Sequence, residues 1–359
     1  MTITGQEHPA DTVAPGDPVL AYDRPVERSV VHRHADAEVF VTDSAAAGPG
    51  RYAVAALLPR AHACFGDHTG AVGPVDPLLL LECFRQAGTA VAHRHLGVPM
   101  DTAFLITEWG IRLTGAAPLP PGDGDSGDGH GDGDGPARLL LMIEARNLNR
   151  RAGRLLGATL VAEMYLAGEL VARGTVGAGY PNKAAYEGFR TLRRSSPAPL
   201  SDAMPARGPG SPLAPGAVGR RLAENVVLAD GERNAGRSRA VLDVPVAHPV
   251  FYDHPLDHVP AMALLEAARQ AAIFADGSDG SDGSDGSDGS DGGAAGGPGQ
   301  VTAVKARFQR FVEHDAPTTV TARPAGDDHH VVAVEFRQSD GVVCTAEVTL
   351  SGPGGKGPR

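Results

Sequence analysis

The chain has 359 residues, 42% of them hydrophobic and 21% charged, which exceeds one small domain and suits two soluble ones. No apolar run approaches the ~20 residues a membrane helix needs. The formal charge of −11 sits in two Asp-Gly stretches, residues 115–136 with five Asp and 276–299 with six, so the rest of the chain is neutral. A neutral body argues against nucleic acid or an anionic membrane as partner, since both require clustered cations.

The N-terminal segment Met1–Pro18 is polar and carries Glu7, Asp11 and Asp17. It lacks the basic start and apolar stretch of a secretory signal, which leads us to expect a cytoplasmic protein. A strand pattern over Arg51–Leu58 leads into His62-Ala-Cys-Phe-Gly-Asp67-His68. Next comes an apolar, Ala-rich helix from Pro77 to His95, predicted to be buried on most of its circumference. Four β-type segments follow: Ala103–Leu113, Arg138–Asn147, Leu155–Tyr165 and Leu170–Val176. A soft stretch rich in Pro, Ser and Gly, residues 182–217, reads as a linker. The second half repeats the plan with a strand at Ser238–Val244, a helix at Pro260–Ala275 and strands at Val301–Val312, Thr318–Ala322, Val331–Arg337 and Val342–Leu350. The Asp-Gly tracts, one of them a literal Gly-Ser-Asp repeat, are predicted to be flexible, solvated loops.

The halves are copies. His62…Phe65…Asp67-His68 recurs as His248…Phe251…Asp253-His254, giving HxxFxDH twice. Glu82, Arg85 and Gln86 recur as Glu266, Arg269 and Gln270, and Glu38–Asp43 parallels Asn225–Asp230. Three matched segments in one order indicate a duplication. The expected domains are 24–181 and 218–351, each an α+β unit with one long helix under an antiparallel sheet.

Glu, Arg and Gln at i, i+3 and i+4 share one helix face, where they must meet solvent or line a cavity. An ion pair with a satisfied Gln is the plain structural account of one such trio; finding it twice after the same Asp-His loop weakens that account. A carboxylate in an apolar pocket can have a raised pKa and serve as general base. His68 and His254 could polarise a carbonyl or relay a proton, or simply lock their loops. Asp257-His258 is a further Asp-His pair in the second copy alone, and His93, His95, His329 and His330 read as solvated. No spacing specifies a metal, and neither a phosphate-cradling Gly loop nor a GxSxG elbow is present. Cys64, Cys83 and Cys344 form no CxxC and read as buried small hydrophobes, with Cys83 a weak nucleophile candidate.

A DH loop, a Pro, then a helix with Glu and Gln four residues apart resembles the hot-dog fold of acyl-thioester enzymes. Phe251–Ala271 (FYDHPLDHVPAMALLEAARQA) together with Val31–Asp43 (VHRHADAEVFVTD) resembles the A-factor, or γ-butyrolactone autoregulator, biosynthesis family of tandem hot-dog proteins. That resemblance implies a tandem hot-dog acyltransferase needing no cofactor and no metal. It would move a β-ketoacyl chain from acyl carrier protein to the hydroxyl of dihydroxyacetone phosphate. It also implies Glu82 as base and Arg269 on the phosphate, with Glu266 and Arg85 as their counterparts, Gln86 and Gln270 beside them, and amides near Asp67-His68 or Asp253-His254 on the oxyanion. Sites shared by both halves would group Glu82 with His254 and Arg269, and Glu266 with His68 and Arg85. Dehydratases of similar fold carry a small residue where Arg85 and Arg269 stand. A thioesterase or dehydratase would use the same Glu and His without needing the arginines, and a non-catalytic acyl-binding protein is the reading from another class.

Overall fold

The computed structural model describes residues 18–69, 75–114, 136–192, 194, 196–277, 299–326, 328–339 and 341–351. Nearly all of the two Asp-Gly tracts, expected to be flexible loops, lies outside them.

The first half contributes β1 (Val41–Ala46), β2 (Arg51–Leu58), α1 (Pro77–Arg94), β3 (Leu105–Leu113), β4 (Ala137–Arg151), β5 (Arg154–Leu166) and β6 (Glu169–Gly179). After the short helix α2 (Lys183–Thr191), the second half contributes β7 (Leu228–Asn234), β8 (Arg237–Leu242) and α3 (Ala261–Asp276). It ends with β9 (Val301–Phe308), β10 (Thr318–Ala325), β11 (Asp328–Gln338) and β12 (Gly341–Leu350). The strand expected to run to Val312 stops at Phe308, where Gln309 and Arg310 both turn their amides to the Val343 carbonyl.

Among the described residues all twelve strands form one antiparallel sheet in the order β1-β2-β4-β5-β6-β3-β9-β12-β11-β10-β8-β7. The order reads alike from both ends, so the duplication is visible as a pseudo-twofold axis between β3 and β9. There Trp109 faces Ala306 and Gly110 faces Lys305. A side chain at Gly110 would put its Cβ 2.9 Å from the Val304 carbonyl, so glycine is what lets the halves meet strand to strand.

Each half wraps its sheet around its long helix. Asp76 caps α1 by accepting from the Leu78 amide, and Pro77 occupies the first helical position, where a missing N–H costs nothing. Pro260 precedes α3 without capping it, and Gly277, in the left-handed region, ends that helix. Helix α1 buries Leu78 to Leu81, Cys83 and Phe84 with Glu82 and Gln86 among them, and α3 is buried from Met262 to Ala275. At about 1.5–3 kcal/mol for each buried Leu-sized side chain, each helix stabilises its half substantially, alongside the inward faces of the strands. One continuous apolar core runs through both halves.

The segment expected to be a soft linker is instead docked. Arg190 and Ser201 in it are buried, and the Ser201 amide donates to the Leu256 carbonyl at 2.8 Å while Leu256 N donates to Ser201 Oγ at 3.1 Å. Among the described residues, no helix is long and apolar enough to cross a membrane.

Candidate active site

The same polar lattice is built twice. Glu82 is fully buried, and its Oε1 accepts from Arg33 Nη2 at 2.8 Å, Arg85 Nη2 at 2.7 Å and Gln86 Nε2 at 2.7 Å. Arg85 Nε donates to Oε2 at 2.9 Å. Gln86 then ties the helix to the chain before β1, accepting from Phe40 N and donating to the Glu38 carbonyl. In the second half Glu266 accepts from Arg220 Nη2 at 2.7 Å, from Gln270 Nε2 at 2.5 Å and from Arg269 Nη2. Gln270 likewise accepts from Val227 N and donates to the Asn225 carbonyl.

Arg33 and Arg220 had no role in the sequence reading, yet they organise both lattices. Each follows a short 3-10 turn, Arg28–Val31 or Pro215–Val218, that ends in a left-handed residue, His32 (φ 53°) or Gly219 (φ 73°). Arg33 and Arg220 are separated by the same interval as Glu38 and Asn225, which is the sequence signal that could have found them. Each also reaches across the pseudo-twofold. Arg33 Nη1 donates to the Val250 carbonyl at 2.9 Å, and Arg220 Nη1 donates to the Cys64 carbonyl at 2.5 Å. The sites are therefore shared by both halves, but the arginines do not cross as expected. Arg85 stays with Glu82 and Arg269 with Glu266, because the i, i+3 spacing holds each on its own helix face.

The expectation of a raised carboxyl pKa is also overturned. Burial alone would raise Glu82, but the charges of Arg33 and Arg85 and the bonds from Arg85 and Gln86 bring it down to about 2. Glu82 is thus an enclosed anion held by two guanidinium groups and an amide.

The imidazoles have better access. His254 Nδ1 lies 2.5 Å from Asp253 Oδ1, so that nitrogen carries the proton. Its ring stacks on His34, centroids 4.4 Å apart, and the side chain is 27% exposed. Asp253 is fixed by the His34 amide at 2.8 Å and faces Arg33 at 3.7 Å. Burial would raise the Asp253 carboxyl, but His254, the His34 amide and Arg33 together hold it well below the carboxylate range.

His68 meets a different partner. Asp67 is consumed by the amides of Arg221 and Leu222 and by Asn225 Nδ2, so His68 Nε2 turns to Asp76 at 3.0 Å. In the first lattice the counterpart of Asn225 is Glu38, which bonds His62 and offers Asp253 no donor. His93, expected to be solvated, instead lies 2.8 Å from His32 Nε2 and bonds the Val98 carbonyl. Burial, then the nearby His93, Arg85 and His254, push His32 down to about 3, which keeps it neutral. Cys83 is fully buried with its thiol pushed up, which removes it as a nucleophile. Asp257 and His258 pair with one another at 2.6 Å under Tyr186 and Arg190 of the docked segment. Among the described residues no three His, Cys, Asp or Glu side chains gather as metal ligands do.

Two wrapped helices, one pseudo-symmetric sheet and a polar lattice shared between halves define a tandem hot-dog protein. The chain belongs to the A-factor biosynthesis hotdog domain family, whose model matches residues 17–179 and 201–281. It is 33% identical over 330 residues to a 2-oxo-3-(phosphooxy)propyl 3-oxoalkanoate synthase of Streptomyces virginiae, covering 91% of this chain and 98% of that one. It is 30% identical to a synthase of the same name from Streptomyces griseus, covering 94% and 96%. Among solved structures it is similar to the dehydratase domain of the CurK module of curacin polyketide synthase (TM-score 0.45, 10% identity, covering 87% of this chain and 95% of that one). An acyl-ACP thioesterase from Bacteroides thetaiotaomicron gives a TM-score of 0.44 at 10% identity, with 84% and 98% covered. At these scores the two likenesses carry no argument, and the fold rests on the strand order itself.

Proposed function

We propose that the chain is an acyltransferase that moves a β-ketoacyl group from the thioester of an acyl carrier protein to the hydroxyl of dihydroxyacetone phosphate. Residues 24–181 and 218–351 serve as its two hot-dog domains. The observation that carries this reading is the linkage, through Glu82 and Arg33, of a partly exposed guanidinium (Arg85, 20%) with a partly exposed, carboxylate-oriented imidazole (His254). A guanidinium offers a charged planar fork suited to phosphate, and an acceptor without an anion would leave the exposed part of this one without a catalytic part.

In this reading Asp253 holds the Nδ1 proton of His254, and Nε2 takes the proton of the attacking hydroxyl. The hydroxyl oxygen forms an ester bond to the acyl carbon. The carbon–sulfur bond breaks, and the proton held on the imidazole passes to the departing thiolate of the carrier. Glu82 does not move a proton. It fixes Arg33 and Arg85, which in turn place Asp253 and the phosphate.

The test is mass spectrometry of the purified protein with a β-ketoacyl thioester, with and without dihydroxyacetone phosphate. A phosphorylated acyl ester formed only with the acceptor supports the transferase. Thioester loss at equal rates in both tubes would make it a thioesterase, and an intact thioester that stays bound would make it a binding protein.

A further inference from the structure

The two lattices draw on matching residues, two Arg and one Gln, to hold their central glutamate but differ in what faces the helix arginine. In the second lattice Asp76 lies directly against the arginine. Arg269 Nη1 donates to both Asp76 oxygens at 3.1 Å, His68 holds the same carboxylate, and the Arg269 side chain is 5% exposed. The residue that corresponds to Asp76, just before the second helix, is Pro260, which has no polar side chain to offer Arg85. Among the described residues Arg85 bonds Glu82 through Nε and Nη2 and the Val31 carbonyl through Nη1, and the side chain is 20% exposed.

We propose that the lattices are unequal: the partly exposed Arg85 beside Glu82 takes the phosphate of the acceptor, and its twin Arg269 beside Glu266 is closed off by the Asp76 carboxylate, so that each chain binds one phosphate monoester. The identity of that monoester rests on the acyl-transfer reading; the inequality rests on the geometry. Asp76 already occupies the place an incoming phosphate would need on Arg269, and does so as a committed anion. Burial would raise its carboxyl, but Arg269 and then His68 drive it far below the usual range. To bind at Arg269, a phosphate would have to displace a buried carboxylate that also caps α1 and accepts from the Leu78 amide at 2.8 Å. That loss leaves a charge unpaired in the core, which costs more than one new ion pair returns.

Isothermal titration calorimetry of the full chain with dihydroxyacetone phosphate tests this. The expected stoichiometry is one per chain. Arg85→Met, which leaves Glu82 its bonds to Arg33 and Gln86, is expected to weaken binding about 100-fold and leave no second site behind, since charge-assisted bonds to phosphate are lost. Asp76→Asn keeps a cap oxygen for Leu78 while removing the competing charge, and is expected to raise the stoichiometry to two. Two sites in the native chain, no site in it, or one site surviving in Arg85→Met would overturn the proposal. So would a single site in an Asp76→Asn protein with a cooperative melt. If Asp76→Asn does not fold, the native chain and Arg85→Met decide alone. Failure of the acyl-transfer reading shows separately, as absence of the ester in the mass-spectrometric assay while the stoichiometry stays at one.

Discussion

Arg33 grips both halves at once: Nη2 lies 2.8 Å from Glu82 of its own half, and Nη1 donates at 2.9 Å to the Val250 carbonyl of the other. Both charges are buried, so truncating one strands its partner. Arg33→Ala is expected to cost about 3–5 kcal/mol of unfolding free energy, read by urea denaturation. The exposed pair Arg307–Glu108, at 3.2 Å across the β3–β9 seam, is the contrast. Arg307→Ala should change stability by less than about 1 kcal/mol. Equal effects would mean that the buried lattice does not hold the halves together.

The depressed carboxylates make the fold acid-sensitive. Glu82 titrates at about 2 against an ordinary 4.5, so the folded state binds its proton less readily than the unfolded chain. Its contribution is therefore present above the unfolded value and lost as pH falls toward 2. For a shift of this size it is on the order of 3 kcal/mol. Asp76 and Asp253 are shifted in the same direction. Urea midpoints should fall steadily between about pH 5 and pH 2, and Glu82→Gln should flatten the slope. A midpoint that stays level across that range would show that the carboxylates are not held as charged groups.

The two long helices, most of the strands and the duplication were legible in the sequence, because apolar period and repeat spacing are local signals; α2, in the stretch expected to be a linker, was not. The trio of Glu, Arg and Gln was legible for the same reason. What it meets was not: Arg33 and Arg220 arrive from turns distant in the chain, and a residue's partner across a fold leaves no mark in its own helix face. The carboxyl's pKa was misread for this reason, since an apolar helix suggests desolvation and only the structure reveals two guanidinium groups countering it. The difference between the sites hangs on single positions, Asp76 against Pro260 and Glu38 against Asn225, which spacing alone cannot weigh.

The docked segment 182–217 controls the loop that carries His254. Arg190 donates to Asp257 Oδ2 and to both Glu313 oxygens at 2.8 Å, bonds the Asp257 carbonyl, and stacks 4.3 Å over the Phe311 ring. Ser201 closes the other side through Leu256. Arg190→Ala removes one cation from Asp257, which keeps His258 and Tyr186, and from Glu313, which keeps Arg194, and is expected to cost roughly 1–3 kcal/mol. Hydrogen exchange gives the sharper readout: the Leu256 amide should exchange at least about tenfold faster in the variant. Unchanged protection there would mean that the loop is held by its own half alone.

The three thiols should be silent in the folded protein. Cys64, Cys83 and Cys344 are all buried, and burial pushes Cys64 and Cys344 up to about 12. Arg220 lies beside Cys64 and pulls the other way, yet its guanidinium is already committed to Glu266 and the Cys64 carbonyl, so desolvation wins. A thiol reagent at pH 8 should label none of the three in native buffer and all three in denaturant, since thiolate is the reacting species. Acyl transfer should accordingly survive prolonged exposure to the reagent. Inactivation that tracks labelling of Cys83 would restore a covalent acyl-enzyme route and displace His254 from the centre of the mechanism.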